Sequence, residues 1–122
     1  MPTNDPRLTA NDREAIRCVE QVIDAMRNLR LLLERREDSL RRAIGVHEPA
    51  PDYTQAVKDA HMTEEQEEFH EALFLLEQRR RESRIASFRS ALDHGVSINE
   101  LAKIWGFSRQ MASRYAKEAR GE

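Results

Sequence analysis

The apolar positions of this chain recur at helical spacing over most of its length, and the breaks in the pattern fall at residues that end helices. From Asn11 to about Ile44 nothing interrupts a helix, and Asn11 with Glu14 offers a capping arrangement at its start. Ile16, Val19, Ile23, Met26, Leu33, Leu40 and Ile44 follow alternating steps of three and four once Arg30 and Glu37 fill the two vacant heptad places. About five heptads on a helix roughly 50 Å long predict a coiled-coil seam. The bland alternative is a long helix packed only within its own monomer, supported by Val22, Leu29, Leu31 and Leu32, which widen the stripe. A seam shared between two chains is preferred, because a chain this small has little of its own to cover so long a helix. Gly45 is expected to close it.

Pro49 and Pro51 make the next stretch a connector, with room for a short helix from about Tyr53 to His61. Thr63 with Gln66 forms a capping box, and Glu64, Glu65, Glu67 and Glu68 sit where the helix dipole favours anions. Phe69, Leu73 and Leu76 mark the buried side. If this helix returns antiparallel along the first, its acidic start meets Arg35, Arg36, Arg41 and Arg42. Each exposed pair contributes less than about 1 kcal/mol, so charge selects the orientation and the apolar stripe supplies the stability. After Leu76 the stripe slips, and Ile85, Phe88 and Leu92 form a new face. That pattern fits one long helix, or two meeting near Arg81 to Ser83. Asp93-His94-Gly95 ends it with a turn.

The stretch SINELAKIWGFSRQMASRYAKEA, from Ser97 to Ala119, carries the most specific signal. Ser97 and Glu100 form another capping box, and Ile98, Leu101, Ala102 and Trp105 make one buried stripe. Gly106 supplies the left-handed residue that ends this helix, and Ser108 caps the next. A small residue at Ala102, where two helices cross, and a glycine four positions later give a helix-turn-helix pattern. Ile85, Phe88, Leu92, Ile98, Leu101, Trp105, Phe107, Ala112 and Tyr115 are the expected core.

Arg84 to Lys117, with its ALDHGVSINELAKIWGFSRQMASRY centre, resembles the three-helix DNA-binding domain of serine recombinases, DNA invertases and small bacterial or phage regulators. The resemblance covers roughly a third of the chain. It implies that Ser108, Arg109, Gln110, Ser113 and Arg114 lie on the exposed face of a recognition helix that contacts DNA. Trp105 and Phe107 stand where the family has smaller aliphatics, and Ala112 where it has a larger β-branched residue, changes that compensate in volume. The catalytic serine domain of a recombinase has no counterpart here.

Composition adjusts this picture in two places. The 122 residues include four Gly, four Pro and 39% hydrophobic residues, which fits an all-α protein of one modest domain or two small helical units. The formal net charge of −2 argues by itself against nucleic acid, but the charge is segregated. Residues 1–45 carry +1, residues 46–78 carry −8 and residues 79–121 carry +6. The basic third is the third with the motif, which is the footprint a phosphate backbone requires. The single cysteine, Cys18, excludes an internal disulfide and any cysteine-based zinc cluster. With no apolar run long enough for a membrane span and no signal-peptide pattern, a cytoplasmic protein is expected.

Other chemistry is weaker. Glu67 and His70 make a single E-x-x-H, whereas a di-iron bundle needs two with further glutamates, so no metal is expected. His47, His61 and His94 stand in polar surroundings and suit solvated or capping roles. No phosphate-binding loop and no nucleophile with its base can be read, so neither an enzyme nor a cofactor is expected. The expected organisation is a flexible arm over 1–10, a helical hairpin or coiled-coil dimerisation region over 11–80, and a three-helix helix-turn-helix domain over 82–120. The expected function is sequence-specific binding of double-stranded DNA by a homodimeric transcriptional regulator. Arg109, Gln110, Ser113 and Arg114 would read bases, and Ser108, Lys103, Lys117, Arg79, Arg80, Arg81 and Arg84 would meet phosphates. A phage or plasmid DNA-transaction protein, for partition, excision or packaging, remains open. So does an adaptor that binds another protein through Ile104 and Met111 or through the acidic face 64–71, a run that otherwise reads as a solvated helix face.

Overall fold

The computed structural model describes residues 5–47, 54, 55, 58 and 62–122. Among the described residues regular structure is α-helical throughout, with α1 (Ala10–His47), α2 (Met62–Asp93), α3 (Ile98–Trp105) and α4 (Arg109–Ala119). No helix is long and apolar enough to cross a membrane among the described residues. The connector at Pro49 and Pro51 and the Thr63 side chain lie outside the described residues. So does most of the expected helix from Tyr53 to His61, although Thr54, Gln55 and Lys58 are helical.

The ends of the long helices differ from the expected ones. Thr9, not Asn11, caps α1: Asp12 N–H donates to Thr9 Oγ1 at 3.1 Å and Thr9 N–H donates to the Asp12 carboxylate at 2.9 Å. Glu14 is instead an ion-pair partner of Arg17. The expected flexible arm begins, in its described part, as a turn in which the Asp5 carboxylate accepts from the Arg7 backbone at 2.9 Å. Gly45 does not end α1, which continues to His47 with no positive φ at that glycine. A glycine inside a helix costs only about 1 kcal/mol, and this one is tolerated. The start of α2 at Met62 precedes the expected cap by one residue, and α2 then runs without a break past Ser83.

Two compact units divide the chain, Ile23–Glu77 and the pair of segments Met1–Val22 and Gln78–Glu122, so that both boundaries fall inside α1 and α2. In the Ile23–Glu77 unit, Ser39 Oγ–H donates to Glu65 at 2.7 Å, Arg35 pairs with Glu68 at 3.2 Å, and the Arg36 guanidinium lies 5.1 Å from the centre of the Phe69 ring. Residue numbers rise on one helix as they fall on the other, so the two stretches run antiparallel. Ala25, Ser39 and Ala43 of α1 and Ala72 of α2 are buried, and Leu29, Leu32 and Leu76 are half-buried. The contact seam is therefore not the stripe of Ile23, Met26, Leu33, Leu40 and Ile44, all of which are exposed. Small side chains line the seam because two backbones approach closely only where little stands between them.

In the other unit the opposed stretches are joined by polar contacts, Ser90 with Asp12 and Arg79 with Gln21. Cys18, Ser83 and Ala86 are buried there, and Ile16 is half-buried. Burial pushes the Cys18 thiol pKa up. Phe88, Leu101, Ala112, Ala116 and Ala119 form the centre of the unit, and Ile85, Leu92, Ile98, Trp105, Phe107 and Tyr115 pack around it. Every expected core residue belongs to this cluster, while Ala116 and Ala119 complete it unforeseen. Phe88 sits in the middle of the aromatic side chains, with ring centres 6.0 Å from Trp105, 6.3 Å from Phe107 and 5.7 Å from Tyr115.

Candidate nucleic-acid interface

Two short helices and the turn between them are specified locally. Glu100 N–H donates to the Ser97 hydroxyl at 3.1 Å and starts α3, although the Glu100 carboxylate does not complete the box. At its other end Gly106 adopts φ 68°, ψ 30°, and Phe107 N–H donates to Ala102 O at 2.9 Å. That bond, with Gly106 N–H to Lys103 O, closes the last turn of α3 in the pattern a left-handed residue permits. Ser108 then accepts from Met111 N–H at 3.1 Å and starts α4. Only Gly106, Phe107 and Ser108 separate the helices. Ala112 is fully buried where α4 meets the core, so a larger β-branched side chain there would compete for space with the side chains packed around it.

Arg109, Gln110, Ser113, Arg114 and Lys117 line one open depression of about 420 Å³ on the outer face of α4. These are the four expected base-reading residues and one expected phosphate contact, brought to a single face by spacings of one, three and four. Arg109, Gln110, Arg114 and Lys117 are exposed and Ser113 is half-buried. No ion pair among the described residues engages Arg109, Arg114, Lys117 or, on α3, Lys103. Glu118, the one acid on α4, is turned to Arg81 of α2 at 2.7 Å. The face is thus cationic without internal compensation, and Ser108 keeps a free hydroxyl proton at the positive end of the helix dipole.

The arginines of α2 are placed differently. Arg79 donates to Gln21 at 3.4 Å and to Glu82 at 3.1 Å, and Arg81 holds Glu118. Arg84 lies over the Phe107 ring at 5.7 Å and donates to the Tyr115 hydroxyl at 3.3 Å. These three guanidinium groups therefore brace α2 against its neighbours, whatever their remaining N–H groups meet. Arg80 is half-buried.

Two groups with structural work are invisible in the local sequence. Arg89 Nε–H donates to Ala119 O at 2.9 Å and so satisfies a carbonyl at the end of α4. Asp12 accepts from Ser90 Oγ at 2.6 Å and faces His94 Nε2 at 2.9 Å, and Asn11 donates to Asp93 beside it. The Ser90 bond foremost, then the Thr9 amide, holds the Asp12 carboxyl well below the usual carboxylate range. Because Ser90 donates to the acid rather than to His94, this group fastens the start of α1 to the end of α2 and contains no activated nucleophile. Glu67 and His70 are both exposed on α2. Among the described residues no three His, Cys, Asp or Glu side chains converge as metal ligands.

Comparison of the chain with protein-family models, with curated proteins and with solved structures finds no match.

Proposed function

We propose that this chain is a sequence-specific binder of double-stranded DNA, a transcriptional regulator that acts as a homodimer on an inverted-repeat site. In this reading 11–80 form a helical hairpin that joins two copies, and 82–120 form a helix-turn-helix domain whose α4 enters the major groove. The single observation that carries the reading is the outer face of α4. Five polar or cationic side chains converge there, the cations have no ion-pair partner among the described residues, and the helix is capped, so the face is presented by a rigid element.

The mechanism follows from the side-chain chemistry. Ser108 and the first amides of α4 meet a phosphate at the helix N-terminus. Arg109 and Arg114 suit the paired acceptors of guanine, and Gln110 suits the acceptor and donor of adenine. Ser113 is small enough to let the backbone approach. Lys103 and Lys117 neutralise phosphates and set affinity rather than sequence. Each arginine has five N–H donors, so Arg79, Arg80, Arg81 and Arg84 contribute to phosphate binding with the donors their internal contacts leave over.

The test is selection of a preferred site from genomic fragments, followed by fluorescence anisotropy. Gln110→Ala and Arg114→Ala should each cost about 1–3 kcal/mol on the selected duplex and little on random DNA. Equal losses on both would put these side chains on phosphates. No binding to any fragment at low salt would refute the reading. Ile104 and Met111, 71% and 41% exposed, favour the second reading, an adaptor that binds another protein through α3 and α4. The acidic start of α2, with Glu64, Glu67, Glu68 and Glu71 exposed, offers that reading a further contact for a basic partner. Partition, excision or packaging would use the same DNA contact, and a genome-wide binding map separates them from regulation by whether sites fall at promoters.

A further inference from the structure

Helix α1 carries two stripes of heptad spacing one residue apart. One contains buried Ala25, Ser39 and Ala43, and Ser39 meets Glu65 of α2. The other contains Ile23, Met26, Leu33, Leu40 and Ile44, each between 39% and 62% exposed. On two antiparallel helices the residue after a contact position turns to the same side of the pair, because each helix advances about 100° per residue in opposite senses. Leu73, which follows buried Ala72, therefore joins this side and is 37% exposed. An apolar face running about 32 Å from Ile23 to Ile44 exceeds the scattered exposure normal for a monomer.

The charges on that face identify what covers it. Arg27 and Arg30 stand on its N-terminal half and Glu34 and Glu37 on its C-terminal half, all exposed. Reversing the helix about Leu32 exchanges Arg30 with Glu34 and Arg27 with Glu37. A second α1 laid antiparallel thus sets each cation against an anion, whereas a parallel one sets Arg30 against Arg30 and Glu37 against Glu37. Glu37 already holds Arg41 at 2.7 Å on an exposed surface, where such a pair contributes little and leaves the carboxylate able to meet a second cation.

We infer that a second copy of this chain covers the face, with the two α1 helices antiparallel about a twofold axis near Leu32. This rests on the homodimer reading and adds to it the orientation and the residues that set it. The apolar side chains supply the affinity, and the segregated charge excludes the parallel arrangement.

Two measurements on the full chain decide it. In sedimentation equilibrium the wild type dimerises, Arg30→Glu and Glu37→Arg each weaken the dimer at least about tenfold, and each is restored in the double variant that also reverses the opposed residue, Arg30→Glu with Glu34→Arg and Arg27→Glu with Glu37→Arg. All four positions altered or opposed are exposed, so helicity by circular dichroism should be unchanged. In a Cys18→Ala background, a mixture of Ile23→Cys and Ile44→Cys chains treated with a short bis-maleimide should crosslink between the two variants. Neither variant should crosslink to itself, since like positions lie roughly 25–35 Å apart in the antiparallel pair. A dimer in which Ile23→Cys crosslinks to itself, with no rescue by either double variant, overturns the orientation and leaves the homodimer standing. A monomer at every concentration overturns both.

Discussion

Phe88 is the side chain whose loss the C-terminal helices should least tolerate. It is fully buried, and its ring centre lies within 6.3 Å of Trp105, Phe107 and Tyr115; half-buried Phe107 also lies beside the other three, but only Phe88 does so with its whole ring out of water. Truncation to Ala removes a buried ring and leaves a cavity walled by rings that cannot collapse without leaving their own contacts with α3 and α4. Phe→Ala changes of this kind cost about 3–5 kcal/mol, and three aromatic pairs, each contributing about 0.5–1.5 kcal/mol, place Phe88→Ala in the upper part of that range. Small domains hold only about 5–15 kcal/mol in all, so the variant should be partly unfolded near 37 °C. Phe88→Leu, which keeps most of the volume, should cost less than half as much. Urea unfolding followed by Trp105 fluorescence is the assay, and at a slope of about 1.5 kcal/mol/M the midpoint should fall by roughly 2–3 M. Trp105 is half-buried and, of the other aromatic rings, pairs with Phe88 and Phe107, so Trp105→Ala should be milder than Phe88→Ala, read by far-ultraviolet circular dichroism. A midpoint shift below about 0.5 M for Phe88→Ala would refute this account of the core.

Gly106→Ala should cost about 1–2 kcal/mol and leave the fold intact, because φ is 68° while nothing lies within 4 Å of an added Cβ. A cost near zero in urea unfolding would mean that α3 can end without a left-handed residue. The Asp12 carboxyl titrates, when folded, below the ordinary value of 3.8, so the unfolded chain binds more protons in acid. Its stabilisation is present in full above that value and is lost as pH falls below it. Wild type should therefore exceed Asp12→Asn in melting temperature most at neutral pH, with the gap closing between about pH 4 and pH 2. A gap that stays constant over that range would show that Asp12 acts by packing and not as a carboxylate.

Local rules were enough for the ends of α3 and the start of α4. Ser97, Gly106 and Ser108 act on backbone groups within five residues of themselves, so their roles follow from adjacent sequence alone. The same holds for the face of α4, because residues one, three and four apart on a helix share a side wherever the helix is placed. The all-helical class and the membership of the Phe88 core were legible for that reason. The start of α1 was misread within the same local range: Asn11 and Thr9 are both acceptable caps, and the choice of Thr9 came with Asn11 being drawn to Asp93, far along the chain.

Tertiary contact decided which stripe of α1 faces α2. Ranking positions by hydrophobicity selects Ile23, Met26, Leu33 and Leu40, since transfer from water favours large side chains. Close approach of two helices selects the opposite property, and Ala25, Ser39, Ala43 and Ala72 are buried because they are small. The sequence held both stripes, one residue apart, and no property of a single helix says which will meet the neighbour. The same limit applies to Asp12 with Ser90 and His94, to Arg84 over Phe107, and to Arg89 at the end of α4. In each of these the partner lies more than twenty residues away, and only the packing of helices brings a polar side chain to the one group that satisfies it.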